Sequence, residues 1–354
     1  MNSNIYNVIG LMSGTSLDGL DIAYCQFKRT ANKWTYQILE SEVVEYDKDL
    51  KDKLSNSVNL SGLELTKLSN DLGYFFGTKV KEFCKINKIN PLLIASHGHT
   101  VFHQPENGFT LQIGNGANIA TKAGIDTVCD FRTVDVALGG QGAPLVPIGD
   151  ELLFSEYKYC LNIGGIANIS TNHNGQRIAW DICPANMLLN HYSKILGYDY
   201  DKDAMFSNKG KIEPKLLNEL ISISYHKQKP PKSLGYEYVF AQYIPIIDKY
   251  NCSIENKMAT IVKFIAVMIK EAYDNFGSGK VLISGGGAFH PLLIKSLKEK
   301  NINIYIPDNK TIAFKEALIF AFLGLLRKLE ETNTLKSVTG AERDSIGGVI
   351  YLSK

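Results

Sequence analysis

No stretch of this chain stays apolar for long. Its two most apolar runs are Met258–Tyr273, broken by Lys263 and Lys270, and Ala317–Leu326, closed in by Glu316 and Arg327. Both fall short of the ~20 apolar residues that cross a bilayer, so no membrane-spanning helix is expected. No sign of charge dominates, since 38 Lys and Arg stand against 36 Asp and Glu for a net charge of +2. That balance excludes a nucleic-acid binder that works through bulk charge. Cysteine is scattered: the six occur without a C-x-x-C pair, which argues against a structural zinc site or a thioredoxin-type motif. Residues 1–20 lack both a charged start and a continuous apolar stretch, so no export signal is expected. The expectation is a reduced, soluble, cytoplasmic protein with neither a nucleic-acid nor a membrane partner.

What is present suits a folded α/β protein. With 354 residues, 45% hydrophobic and 21% charged, the chain can bury a core, and ~150 residues per domain suggests about two domains. Short apolar strands alternate with helical stretches. Tyr6–Met12, Asp21–Phe27, Pro91–Ser96, Phe109–Ile113 and Thr127–Asp130 read as strands in the first half. Tyr159–Ile163, Ala167–Ser170, Arg177–Asp181 and Val281–Ser284 read as strands in the second. Helices are expected over most of 47–90, about Ala185 to Leu196, Met258–Phe276, from Pro291, and over Glu316–Leu329, while 201–240 reads as polar and irregular. Each half opens on a hairpin whose turn is rich in glycine, near positions 14 and 164, which suggests a duplicated unit. Asp130–Pro147 is a Gly- and Pro-rich loop near a domain boundary. The glycines of Gly139–Gly142 suit backbone rotation, so a hinge is expected near residues 130–142, with a second crossing near 338.

Four glycine-bearing strings and one histidine group carry candidate chemistry. In the first turn, Gly14, Thr15, Ser16, Leu17, Asp18, Gly19, Leu20 and Asp21 combine converging backbone amides, two hydroxyls and a carboxylate. Such a set suits an anion, with Asp18 placed for Mg²⁺ through water; an ordinary Asp-Gly hairpin is the alternative. The turn is no P-loop, because no Gly-Lys-Ser/Thr follows. Asn162, Gly164 and Gly165 form the second turn, either a phosphate clamp or a plain hairpin. Gly285, Gly286 and Gly287 follow an apolar strand and precede a helix, where a nucleotide can lie on bare backbone or strand and helix can approach closely. Gly114-Asn-Gly-Ala-Asn-Ile119 lacks the third glycine of a dinucleotide fingerprint. His97, His99 and His103 suggest either a metal cluster or groups that position a substrate. Asp181, at the end of a strand, suits a general base or a helix cap. Arg132, Asp135 and Glu316 are further polar candidates, Glu316 opening an otherwise apolar helix.

Together the strings GLMSGTSLDGLD, ASHGHTVFH, TLQIGN, DFRTVD…GGQGAPLVP, LNIGGIANI, ISGGGAFHPLL and SVTGA resemble the anhydro-N-acetylmuramic acid kinases of the sugar kinase/Hsp70/actin superfamily, from residue 8 to about 341. The resemblance implies a two-domain actin-like α/β fold with ATP in an interdomain cleft, residues 1–130 with 338–354 forming one domain and 131–337 the other. It implies ATP- and Mg²⁺-dependent opening and phosphorylation of 1,6-anhydro-N-acetylmuramic acid to N-acetylmuramic acid 6-phosphate in peptidoglycan recycling, by a homodimer. It places the phosphates on Gly14–Asp21 and Asn162–Gly165, the adenosine on Gly285–Gly287, the base on Asp181, and His97, Arg132 and Glu316 by the sugar. The chain departs from the common family pattern at Asp181-Ile-Cys-Pro-Ala-Asn186, where D-T-G-P-G-N is usual, at Ala204 for Gly, and at Leu234 and Tyr236 for Thr and Arg. The competing readings are a catalytically weak sugar or nucleotide sensor on the same fold, a kinase of another anhydro- or amino-sugar, and a metal-dependent hydrolase built on the histidines.

Overall fold

Apolar side chains on both faces mark a strand buried inside a sheet, and Val8, Ile9 and Leu11 of strand β1 (Asn4–Ser13) have no exposed surface. The computed structural model describes residues 4–14, 17–31 and 33–354. Its chain forms two units, Met1–Leu153 with Phe314–Lys354, and Phe154–Ala313. In the first unit β1 pairs antiparallel with β2 (Gly19–Thr30), and β2 antiparallel with β3 (Lys33–Glu45). On its other side β1 runs parallel to β4 (Leu93–Gln104), and β4 parallel to β6 (Thr127–Cys129). β5 (Phe109–Ile113) folds back on β4, and β12 (Val349–Tyr351) closes the edge beyond β6.

Helices α1 (Lys48–Ser55) and α2 (Gly62–Asn87) lead from β3 to β4. Ser61 and Glu64 form a reciprocal capping box at the start of α2. Its face of Leu68, Leu72, Phe76, Val80 and Phe83 repeats every three to four residues and enters the core over β1 and β2. Helix α3 (Gly116–Ala123) lies against α2 at glycines: a Cβ on Gly73 would sit 2.6 Å from the Asn115 carbonyl oxygen. Asn115 accepts the Ala117 and Asn118 amides, so the Gly114–Ile119 string is a helix cap and packing contact.

The second unit repeats the plan. β7 (Tyr159–Ile163), β8 (Ile166–His173) and β9 (Gln176–Pro184) are antiparallel neighbours, and β10 (Val281–Ser284) and β11 (Ile304–Tyr305) extend the sheet in parallel on the other side of β7. With the β5 hairpin and the edge strand β12 set aside, the order β3-β2-β1-β4-β6 of the first sheet matches β9-β8-β7-β10-β11 of the second, with the same parallel and antiparallel relations. This duplicated order is the actin-like architecture, and it explains the two glycine hairpins half a chain apart. Helices α6 (Asn186–Ile195), α7 (Pro214–Ile221), α8 (Tyr236–Asp248), α9 (Ile254–Asp274) and α10 (Pro291–Glu299) belong to this unit. Helix α9 is buried on most sides, from Met258 to Tyr273, and organises the core.

The unit boundaries differ from the sequence expectation of 130/131 and 337/338, falling at 153/154 and 313/314. The reason is packing. Asp130–Pro147 is not one loop: it holds α4 (Thr133–Ala137) and the start of α5 (Val146–Leu153). Asp135 of α4 accepts the Thr339 hydroxyl at 2.7 Å, and the Gln141 amide reaches the Thr339 carbonyl at 2.8 Å. Gly149 of α5 lies against Ile319 of α11 (Asn309–Lys328). These contacts hold the expected hinge, Gly139–Gly142, inside the first unit, together with α12 (Lys336–Thr339). Phe314, where the chain re-enters that unit, is a non-helical break within α11 (φ −110°, ψ 15°).

Candidate active site

In the first unit, the turn after β1 is shorter than the string suggests, because Gly19, Leu20 and Asp21 already belong to β2. Thr15 and Ser16 lie outside the described residues. Gly14 accepts the Leu17 amide at 3.3 Å, and Leu17 takes φ 60°. A side chain at Gly19 would place its Cβ 2.4 Å from the Val44 carbonyl oxygen. Asp18 is exposed. Just before the turn, Ser13 Oγ receives the buried Tyr46 hydroxyl at 2.7 Å and lies 3.4 Å from His99 Nδ1.

In the same unit Asp18 and Glu316 act on Asp21, Arg132 acts on Glu316, and His97 bonds Arg132. Burial raises the Asp21 carboxyl to about 7, with Glu316 and Asp18 pushing in the same direction. Glu316 is accessible to solvent, yet desolvation by the surrounding protein lifts its carboxyl, against the pull of Arg132 and Lys315. Lys315, the preceding residue, is buried against Asp150 at 2.7 Å. Burial brings Arg132 down to about 10, with Glu316 and Asp135 opposing. Its Nε and Nη2 donate to His97 Nε2 at 3.2 and 2.8 Å, and Nη1 donates to the Gly142 carbonyl at 2.7 Å. The Gly142 amide in turn donates to Asp135 at 2.7 Å, so Gly142 is held from both sides.

These bonds fix the state of His97. Nε2 accepts from Arg132, so Nδ1 carries the proton and donates to the Gly98 carbonyl at 2.9 Å. Burial and the guanidinium keep this imidazole neutral, well below its ordinary pKa. With both nitrogens engaged, His97 is no metal ligand. His99 turns to Ser13 and His103 to Thr110, so the three histidines do not converge. Among the described residues no three His, Cys, Asp or Glu side chains form a metal cluster.

The Asp21 carboxyl gives a pH test. Its folded pKa lies above the unfolded value of 3.8, so the folded state binds the extra proton between about 4 and 7. Stability from this group is fully present below the lower value and is lost as pH rises through the upper one. The thermal midpoint of the ligand-free protein should therefore fall from pH 4.5 to 8. Asp21→Asn should flatten that slope and raise the midpoint at pH 8. Parallel midpoint curves for the two proteins would refute the assignment.

In the second unit, two glycine strings meet. Ser284 pairs with Asn162 across β10 and β7, which brings the loop after β10 beside the β7–β8 turn. Gly285 has φ 80°, and a Cβ there would lie 2.6 Å from Asn162 Oδ1. A Cβ on Gly287 would lie 2.3 Å from Ile163 Cγ2. The turn carbonyls are also used: Gly165 accepts the Ala185 and Met187 amides, and Gly164 accepts the Asn186 amide at 3.1 Å. Gly165 and Gly286 stay exposed. Neither Gly164, Gly165 nor Gly286 has a neighbour closer than 3.5 Å to a notional Cβ, so a ligand can approach bare backbone there.

Asp181 does not end its strand. It sits inside β9, where the pairing with β8 shifts register: Ala167 faces Cys183 and Asn168 faces Asp181, leaving Ile182 as an extra residue. Such a bulge re-aims a side chain beside a functional site. Asp181 Oδ2 accepts the Leu234 amide at 2.8 Å. Burial raises its carboxyl and that amide lowers it, with a net upward shift. Leu234 stands where Thr is common, yet its contribution here is a backbone N–H, which the change of side chain leaves intact. Tyr236, in place of Arg, is exposed and stacks on Phe240 at 4.2 Å. Buried Asp201, on the loop carrying Ala204, accepts His290 Nε2 at 3.2 Å and the Phe206 and Ser207 amides. The sequence reading missed this brace and the contacts of residues 225–234, which have no periodic pattern to announce them.

A family model described as anhydro-N-acetylmuramic acid kinase matches residues 6–353. The chain is similar to the anhydro-N-acetylmuramic acid kinase of Vibrio vulnificus (strain CMCP6), with 34% identity over 97% of each chain. It is also similar to that of Clostridioides difficile (strain 630), with 35% identity and the same coverage. Among solved structures, the activator of the 2-hydroxyisocaproyl-CoA dehydratase from Clostridium difficile with bound ADPNP covers 92% of this chain and 97% of its own, at 14% identity and a TM-score of 0.43.

Proposed function

The chain belongs to the anhydro-N-acetylmuramic acid kinase family, and we propose that it uses water to open the ring of 1,6-anhydro-N-acetylmuramic acid and phosphorylates O6. The products are N-acetylmuramic acid 6-phosphate and ADP, and the reaction belongs to cytoplasmic peptidoglycan recycling. The observation that carries this reading is Asp181, a partly buried carboxylate with one oxygen held by the Leu234 amide and a pKa raised by burial. Its other oxygen accepts no hydrogen bond from the described residues. A base works best with a pKa near the operating pH, and desolvation moves Asp181 that way.

In the anhydro sugar O6 is tied to C1, so it is no nucleophile until the bridge opens. Asp181 takes a proton from the water that adds to C1. The C1–O6 bond breaks, and O6 becomes the group that receives the phosphoryl group. Arg132 and Glu316 bind the sugar, and His97, its two nitrogens taken by Arg132 and the Gly98 carbonyl, holds the guanidinium beside it. The glycines fit a nucleotide: Gly164, Gly165 and Gly286 leave backbone uncovered, and Gly285 and Gly287 fix the loop against β7. We assign the phosphates to Gly14–Asp21 and Asn162–Gly165 and the adenosine to Gly285–Gly287. Exposed Asp18 suits Mg²⁺ held through water. Bound MgATP supplies the phosphoryl group and the counter-charge for transfer.

ADP release over a panel of 1,6-anhydro-N-acetylmuramic acid, other anhydro sugars and free amino sugars tests the reading. Release with the first, and a product phosphorylated at O6 and hydroxylated at C1, is the expected result. Release only with free amino sugars would overturn it.

A further inference from the structure

β9 is the edge strand of its sheet, so the outward backbone groups of Asp181 have no strand to pair with. They are taken instead by one segment, residues 225–234. The Asp181 amide donates to the Lys232 carbonyl at 3.0 Å. Its carbonyl accepts the Tyr225 hydroxyl at 2.7 Å. Its carboxylate accepts the Leu234 amide at 2.8 Å. Its amide, its carbonyl and one carboxylate oxygen are thus set by the same strap, and the second carboxylate oxygen is left open.

The strap is closed on itself by Lys232. Its ammonium donates to the Tyr225 carbonyl at 3.1 Å and reaches the His226 carbonyl at 3.5 Å. It also lies 4.5 Å from the centroid of the Tyr225 ring. Two of its donors thus face the strap. Tyr225 is buried, tilted against Tyr238 of α8, and His226 packs on Tyr243 and Phe264. The strap is anchored in the core at one end and to the bulged edge of β9 at the other.

We infer that Lys232 and Tyr225 are positioning residues, which act on the reaction only by holding the Asp181 carboxylate in place. The inference rests on the reading of Asp181 as the base. Lys232→Met keeps most of the side-chain stem and removes the ammonium. Tyr225→Phe removes one hydroxyl and keeps the ring, so it preserves the packing.

The test uses the full chain with MgATP and 1,6-anhydro-N-acetylmuramic acid. Lys232→Met should lower kcat about 10–100-fold and Tyr225→Phe about 3–10-fold, the scale of loss that a displacement of up to ~1 Å produces. KM for both substrates should stay within about threefold, and the thermal midpoint of Tyr225→Phe within a few degrees of the parent, since the net contribution of one hydrogen bond to stability is small. A merely structural role would lower the midpoint and leave kcat of the folded fraction unchanged. Folded variants with parental kcat, or with KM rising in step with the loss, overturn the inference. Asp181→Asn separates the two levels. If it is inactive while both strap variants keep parental kcat, the strap role alone fails; if it turns over normally, the reading of the base fails first.

Discussion

Asp181→Asn is expected to fold, to bind ATP and the anhydro sugar as the parent does, and to turn over about 10²–10⁴-fold more slowly, the usual contribution of a positioned general base. The reason lies in what asparagine retains. Its side-chain oxygen still accepts the Leu234 amide, and its backbone still meets Lys232 and Tyr225. The volume is unchanged, and a partly buried charge is removed, which costs no stability. What is lost is the capacity to take a proton from water. Affinities measured by calorimetry, beside steady-state ADP release, separate the two effects. Turnover within tenfold of the parent would mean that Asp181 serves only as a hydrogen-bond acceptor. The catalytic reading would then fall, and the sensor reading would gain its first support.

The parts of this protein visible in its sequence are those whose cause is local. A glycine pair between two apolar runs, as at Gly164 and Gly165, announces a hairpin, and two such hairpins half a chain apart announced the duplication that the matching strand orders display. Asp181, Gly285–Gly287 and the Gly14–Asp21 turn, proposed above as the base and the nucleotide loops, were singled out by short strings of the residue types that such chemistry requires. The missing parts have causes distant in sequence. Arg132 meets His97 across 35 positions, and Asp135 meets Thr339 across 204. No spacing rule connects them, so Asp135 gave no sign of bracing Gly142, and the 130–142 segment looked like a hinge. Strand β3 escaped because its apolar residues are interleaved with Glu40, Glu42 and Glu45, as suits an edge strand with much exposed surface. The strap over Asp181 escaped because two of its three bonds to that residue use its own backbone groups, which any sequence supplies.

Gly285→Ala should separate nucleotide binding from catalysis more sharply than any change near the sugar. Gly285 has φ 80° and ψ 167°, a region open in practice only to glycine, and residues forced there cost about 1–3 kcal/mol. The new Cβ would also meet Asn162 Oδ1 at 2.6 Å and the Ile163 carbonyl oxygen at 2.7 Å. One of these contacts is backbone and cannot rotate away, so the loop itself must move. At roughly 2–4 °C per kcal/mol for a chain of this order of size, the midpoint should drop by a few degrees to about ten. The displaced loop carries Gly286 and Gly287 away from the β7–β8 turn, so ATP affinity should fall at least about tenfold, the equivalent of ~1.4 kcal/mol. Asp181 is held by a different segment, residues 225–234, and binding of the anhydro sugar should stay within about twofold. A lowered midpoint with parental ATP affinity would show that the three glycines exist only to let strand and loop approach closely, and the adenosine would then have to be placed elsewhere.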